Sequence, residues 1–220
     1  MSSIGGFWKK RGLPLSVEGV RSCKASYSQF GEDAVLAALI HAEQTEGHYL
    51  DLGCYAPIRW SNTYHFYQRG WSGVTVDANS KHAADWKRMR PRDRHMTAAV
   101  LQEEGCGTAI LDEDPVHDAM NRVSVAQPAE GKAKRTVPVL GIDCLPKWWP
   151  YAQAPHLVST DLEGFDKEIA LVYPFETHAP EVYVAEFGYD SLEPEVEAVF
   201  LKHGYKLFAR LGPSWIWQRA

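Results

Sequence analysis

The sequence predicts an α/β fold: a mostly parallel sheet with helices on both faces, closed at one edge by an antiparallel C-terminal hairpin. Three observations predict it. Strand-like and helix-like segments alternate through the first and last thirds of the chain. Four short apolar strands run out into an acid, at Asp51, Asp77, Asp161 and Glu186. Near the end, Tyr205 to Arg210 and Trp215 to Gln218 read as two strands joined by a short turn at Gly212-Pro213.

Composition agrees with a globular domain. The chain has 220 residues, 45% hydrophobic and 23% charged, which excludes a disordered, collagenous or rod-like protein. Its net charge of −5 argues against a general nucleic-acid binder. Cys23, Cys54, Cys106 and Cys144 form no C-x-x-C pair, so neither a zinc ribbon nor a redox motif is expected. No run is apolar enough to span a membrane, and the start carries no secretory h-region. A cytoplasmic protein is expected.

Residues 1–25, with Gly5, Gly6, Gly12, Pro14 and no clear period, are expected to form an arm before a single domain over 26–220. A helix follows from Ser28, its N-cap, with Glu32 and Asp33 in the first turn and Gly47 beyond its end. His48 to Leu52 is the first strand. Asn62 to Arg69 is helical and stopped by Gly70, and Gly73 to Asp77 is the second strand. Lys81 to Arg90 is a helix closed by Pro91, and its basic run through Arg94 reads as a solvated face or a docking patch for an acidic partner. His95 to Leu101 is the third strand.

Residues 103–138 are the least regular. Short strands are expected at Thr108 to Leu111, Val123 to Val125 and Arg135 to Leu140, with an exposed turn at Gly131 to Lys134. Leu145 to Tyr151 reads as a short helix whose Trp148, Trp149 and Tyr151 serve either as core or as a lid. Alternation then resumes: strand 157–161, helix 165–172, strand 181–186, and an amphipathic helix from Leu192 to His203 ended by Gly204.

In open α/β sheets ligands bind beyond the carboxyl ends of the strands, so the four terminal acids mark the site. Gly53 leaves room for close approach to the first strand's exit, and Asp77 is placed to accept both hydroxyls of a ribose. The chain lacks G-x-G-x-x-G and the P-loop motif, so it has no close cradle for a pyrophosphate. A ribose-bearing cofactor without a pyrophosphate is S-adenosylmethionine. Trp60, Tyr64, Phe66, Tyr67 and Trp71 cluster after the first strand, either as core or as an aromatic wall against a sugar.

Tyr27-Ser28-Gln29-Phe30-Gly31-Glu32-Asp33, Asp51-Leu52-Gly53, Ser61-Asn62-Thr63, Gly70-Trp71-Ser72-Gly73 and Asp161-Leu162-Glu163-Gly164, in that order, resemble the FkbM family of S-adenosylmethionine-dependent methyltransferases. The resemblance runs from Tyr27 to the C-terminus. It implies a class I methyltransferase Rossmann-like fold with a seven-stranded mixed sheet. It also implies O-methylation of a sugar, glycan or natural-product hydroxyl. By the same resemblance, Asp51 and Gly53 line the methionine and ribose side. Asp77 holds the ribose, Ala78, Asn79 and Ala99 flank the adenine, and Gln29 and Asn62 shape the carboxylate end. Asp161 and Glu163 face the acceptor as catalytic candidates. One departure is Cys54-Tyr55-Ala56-Pro57-Ile58, where many members carry Ala-Asn-x-Gly.

Two alternatives accompany this reading. Carboxylates suit magnesium, so a divalent metal on Asp161, Glu163 and Glu186 is one option. A non-catalytic module that binds S-adenosylmethionine or a nucleotide on the same fold is the other. Partners are expected to be a small-molecule or glycan acceptor, with no nucleic acid.

Overall fold

A computed structural model describes residues 21–40, 44–102, 107–113, 121–124 and 133–220. The helices are α1 (Glu32–Leu39), α2 (Tyr64–Gln68), α3 (Ala83–Met89), α4 (Leu145–Trp148), α5 (Asp166–Val172), α6 (Phe175–His178) and α7 (Pro194–Lys202). The strands are β1 (His48–Leu52), β2 (Ser72–Asp77), β3 (Arg94–Thr97), β4 (Ala99–Leu101), β5 (Thr108–Glu113), β6 (Arg122–Ser124), β7 (Ala133–Gly141), β8 (Leu157–Thr160), β9 (Val182–Glu186), β10 (Tyr205–Leu211) and β11 (Ser214–Arg219). Most of the expected N-terminal arm, Cys106, Val125 and the start of the 131–134 turn lie outside the described residues.

The main sheet has seven strands in the order β10-β11-β9-β8-β1-β2-β3. Neighbours from β9 to β3 are parallel, and β11 runs antiparallel to both β9 and β10. This is the expected seven-stranded mixed sheet with its C-terminal hairpin. Both faces are covered, so the strands are apolar on both sides. Tyr49, Leu157, Val184 and Ile216 pack on Leu36 and Ile40 of α1 and on Phe66 and Trp71. Their neighbours Leu50, Val158 and Tyr183 point the other way, onto Ile169 of α5 and Phe200 of α7.

Two expected elements change, and one open alternative is decided. The expected strand 95–101 breaks at Ala98 into β3 in the main sheet and β4 in a second sheet. Ala98 N–H donates to the Asp77 carbonyl at 3.0 Å, and the chain then crosses to pair β4 with β7. That second sheet, β4-β7-β5-β6, gathers the irregular middle of the sequence into one wall. The helix predicted from Ser28 begins only at Glu32, because Gly31 adopts φ +92° and Ser28 instead exchanges hydrogen bonds with Asp33. Trp149 and Tyr151 gather around His48, at the amino end of β1, so they are core at the end of the sheet opposite the strand exits.

Arg90 departs furthest from expectation. Its side chain is 0% exposed. Nε bonds Asp93 Oδ2 at 2.6 Å, while the terminal nitrogens donate to Pro57 O at 3.2 Å, Ser61 Oγ at 3.2 Å and Thr63 Oγ1 at 3.0 Å. The guanidinium also lies against the rings of Tyr49, Tyr67 and Trp86. Asp93 in turn accepts from Tyr49 Oη at 2.6 Å and Gly73 N–H at 3.1 Å. The loop from 53 to 63 is thereby fastened to the sheet. Replacing Arg90 by Met keeps most of the volume and leaves Asp93 a buried, unpaired carboxylate. The expected cost is about 3–5 kcal/mol, read as a lowered urea midpoint at an unchanged slope.

Candidate active site

The exits of β1, β2 and β8 are tied to each other. Gly53 N–H donates to Val76 O at 2.8 Å and Asp161 N–H donates to Leu52 O at 2.9 Å. A Cβ on Gly53, at φ +75°, would stand 1.7 Å from the Asp161 carbonyl oxygen. The missing side chain therefore admits the neighbouring β8 exit as well as anything bound above it.

Over these exits opens a cleft of about 800 Å3, counted to its mouth. Eight of the ten expected cofactor and catalytic residues line it: Gln29, Gly53, Asp77, Ala78, Asn79, Ala99, Asp161 and Glu163. Asp51 and Asn62 lie beneath it. Asp51 is buried and accepts Thr63 Oγ1–H at 2.6 Å, and Asn62 Nδ2 donates to Ser159 Oγ at 3.2 Å. Burial raises the Asp51 acid to about 6. Both residues brace the floor and the loop above it.

Asp77 ends β2 with both oxygens engaged. Oδ2 accepts Tyr55 N–H at 2.7 Å and Oδ1 accepts Asn79 N–H at 2.6 Å. An ionised carboxylate offers about four acceptor positions in all. Beside it the wall is apolar, formed by Ala78, Ala98, Ala99 and Val100 together with Leu111 and Val123. Leu111, Asn121 and Val123 come from or adjoin the second sheet and were missed in the sequence. Their only signal is weak alternation in short strands interrupted by polar residues. Tyr55 and Trp60 form a stacked pair on the rim, with centroids 5.6 Å apart, and Trp60 is 41% exposed. Of the aromatic cluster after β1, Trp60 is thus a wall residue, whereas Phe66, Tyr67 and Trp71 are core.

The other end of the cleft is acidic. Burial first, then Glu186, raises the Asp161 acid well above the carboxylate range. Burial raises the Glu186 acid as well, and its contact with Asp161 opposes that rise. Glu163 is raised by burial and by Glu186, and Arg122 opposes that shift. Its backbone is left-handed, φ +52°, as are those of Tyr55 (+44°) and Trp60 (+59°). These are all the non-glycine residues with positive φ among the described residues, and all three line this cleft. Such strain costs about 1–3 kcal/mol per residue and persists only where the surroundings enforce it.

Among the described residues, no three His, Cys, Asp or Glu side chains are grouped to hold a metal ion. Asp161, Glu163 and Glu186, the optional magnesium set, are therefore not so grouped. Among the described residues, no histidine lines the cleft. His156 Nδ1 accepts His48 N–H at 3.1 Å, at the opposite end of the sheet. No helix among the described residues is long and apolar enough to cross a membrane, and none of Cys23, Cys54 and Cys144 forms a disulfide.

No family model and no curated protein matches the chain. Among solved structures it is similar to a TehB-like SAM-dependent methyltransferase from Corynebacterium glutamicum, at 10% identity over 98% of this chain and 96% of that one, with a TM-score of 0.42. It is also similar to a candidate O-methyltransferase from Klebsiella pneumoniae, at 12% identity over 100% of this chain and 97% of that one, with a TM-score of 0.40. Likeness this distant leaves function to the residues of the site.

The buried acids make stability fall as pH rises. Asp166, fully buried at the start of α5, has its acid raised from 3.8 to about 7, chiefly by burial. A raised folded pKa contributes full stability below the unfolded value and loses it as pH climbs through the folded one. Asp166→Asn removes this group from the balance. The variant should gain stability relative to the parent between pH 5 and pH 8, measured as the difference in urea midpoints.

Proposed function

We propose that the chain is an S-adenosylmethionine-dependent O-methyltransferase, acting on a hydroxyl of a sugar, glycan or related natural product. One observation carries the reading. A single cleft at the carboxyl ends of β1, β2 and β8 has the Asp77 carboxylate and apolar walls at one end and a cluster of acids at the other. Such a cleft suits a ligand with a ribose, a flat apolar base and a positively charged tail.

In this reading Asp77 holds the ribose, and Ala78, Ala99, Val100, Leu111 and Val123 enclose the base. Asp161, Glu163 and Glu186 face the positive end. S-adenosylmethionine supplies a methyl on a positively charged sulfur, and its transfer to an acceptor oxygen sends the C–S pair to sulfur and leaves one hydroxyl proton to remove. Glu163 takes that proton on its carboxylate. Burial raises its pKa towards the working range of a general base. Asp161, whose acid burial and Glu186 push well up, orients the acceptor rather than deprotonating it. Alignment of the acceptor with the sulfur contributes most of the acceleration.

The decisive experiment is thermal unfolding with S-adenosylmethionine, S-adenosylhomocysteine, NAD and ATP. At a hundred times the dissociation constant a ligand should stabilise by about 2.7 kcal/mol. Only the two adenosyl ligands should raise Tm, and Asp77→Ala should abolish the rise. Preference for NAD or ATP would overturn the reading. Adenosyl binding without turnover on any hydroxyl acceptor would favour the non-catalytic module.

Glu163→Gln should lower kcat about 10²–10⁴-fold while S-adenosylhomocysteine affinity, measured by calorimetry, stays unchanged. Undiminished turnover in this variant would remove Glu163 as the base.

A further inference from the structure

The chain leaves β8 through a turn that glutamate disfavours. Leu162 O accepts Phe165 N–H at 3.4 Å, and the two residues between them, Glu163 and Gly164, have φ of +52° and +109°. Positive φ at both central positions is the requirement of a type I′ turn, which Gly, Asn and Asp dominate. Gly164 meets it freely. Glutamate at the first position is strained, and it stays there only where the surrounding structure enforces it. The residue so held lines the cleft and also a neighbouring cavity, with Asp166 and Glu186 on the wall of the latter.

The enforcing group is Asp166, the first residue of α5. Its Oδ2 accepts Leu162 N–H at 2.9 Å. A carboxylate just past the turn therefore grips the residue just before it, and Leu162 is held at both its N–H and its carbonyl. An acid in the first turn of a helix ordinarily stays in water, where the helix dipole favours it, as exposed Glu168 does two residues on. Asp166 is instead 1% exposed. Burial raises its acid, while the nearby Thr160 hydroxyl and the bond to Leu162 N–H favour the ionised form. The helix alone gives no reason to bury this carboxylate, and the turn before it does. Asp166 does not line the cleft, so it acts on the chemistry there through Leu162 and Glu163.

We propose that Asp166 is the positioning residue for Glu163: its bond to Leu162 N–H locks the left-handed turn that brings the Glu163 side chain to the cleft. The role of Glu163 as base rests on the methyltransferase reading, and its placement by Asp166 does not. Asp166→Asn keeps a side-chain oxygen at the same reach for Leu162 N–H. Asp166→Leu keeps a similar volume and offers no acceptor. The first variant should preserve the turn and the second should release it.

The test is NMR on the full, isotope-labelled chain. A residue at positive φ brings its own amide and α protons together and gives an intense intraresidue NOE. Glu163 should show that NOE in the parent and in Asp166→Asn, and lose it in Asp166→Leu. Exchange of the Leu162 amide should quicken about tenfold or more in Asp166→Leu relative to Asp166→Asn. Protected Leu50 and Val158 amides, in the core of the sheet, report that each variant is folded. Should the leucine variant not fold, Asp166→Ala carries the same expectation. A general loss of stability would leave the Glu163 NOE of the folded protein unchanged. Retention of the NOE in the leucine or alanine variant overturns the proposal, as does its loss in Asp166→Asn. So does a Leu162 amide that exchanges in the parent as fast as an open loop. Failure of the parent to raise its Tm with S-adenosylhomocysteine would instead sink the methyltransferase reading and leave the placement of Glu163 to stand on these NMR results.

Discussion

The site depends on a charge that never reaches it. Arg90, sealed under the loop from 53 to 63, holds the Pro57 carbonyl, the Ser61 and Thr63 hydroxyls and Asp93 at once. Thr63 passes the constraint to Asp51 on β1, and Asp93 passes it to Tyr49 and to Gly73 on β2. A guanidinium suits this place because its planar fork presents several donors in fixed directions and its faces pack against aromatic rings. Lysine offers one point charge and could not answer four acceptors. The loop so fixed carries Tyr55 and Trp60 to the rim of the cleft in backbone conformations that neither would choose alone.

The second constraint is the crossing of strand exits. Gly53 and Asp161 approach so closely that no side chain fits at residue 53. That contact holds the loop after β8, and with it the left-handed turn at Glu163 and Gly164. Glu163 is thereby pointed between two cavities, where a residue in ordinary extended backbone would leave the strand on alternate sides. Strain, burial and like charge thus converge on one carboxylate. Each lowers stability and persists only because the surrounding structure enforces it.

Much of this was legible in the chain. Alternation of strand and helix, acids at strand ends and the closing hairpin give the sheet and its edge. They also place Asp77, Asp161 and Glu163 around one opening. Other parts were not legible, for identifiable reasons. Arg90 sits in a run with Lys87, Arg88, Arg92 and Arg94, and charge density reads as solvation unless the partners, distant in sequence, are known. The break at Ala98 leaves no mark, because β3 and β4 are both apolar and only a hydrogen bond to Asp77 separates them. Asp51 resembles the other terminal acids, yet it turns under the sheet exit because Thr63 and Arg90 wait there. The wall from β5 and β6 depends on pairing across a long irregular stretch, which local pattern does not encode.

The polarity of the cleft narrows its chemistry beyond what the fold alone allows. A dinucleotide or nucleoside triphosphate brings several negative charges. It needs backbone N–H groups at a helix N-terminus, or a cationic clamp, to receive them. Here the region after β1 holds Cys54-Tyr55-Ala56-Pro57 instead of a glycine-rich turn. The far end presents Asp161, Glu163 and Glu186, with Arg122 the cation acting on Glu163 there. Phosphates would be repelled where they must sit. A ligand with a diol, a flat apolar ring and a positive tail meets the opposite conditions at each point. In the proposed reading the diol would meet Asp77, the ring small aliphatic side chains, and the charge the buried carboxylates.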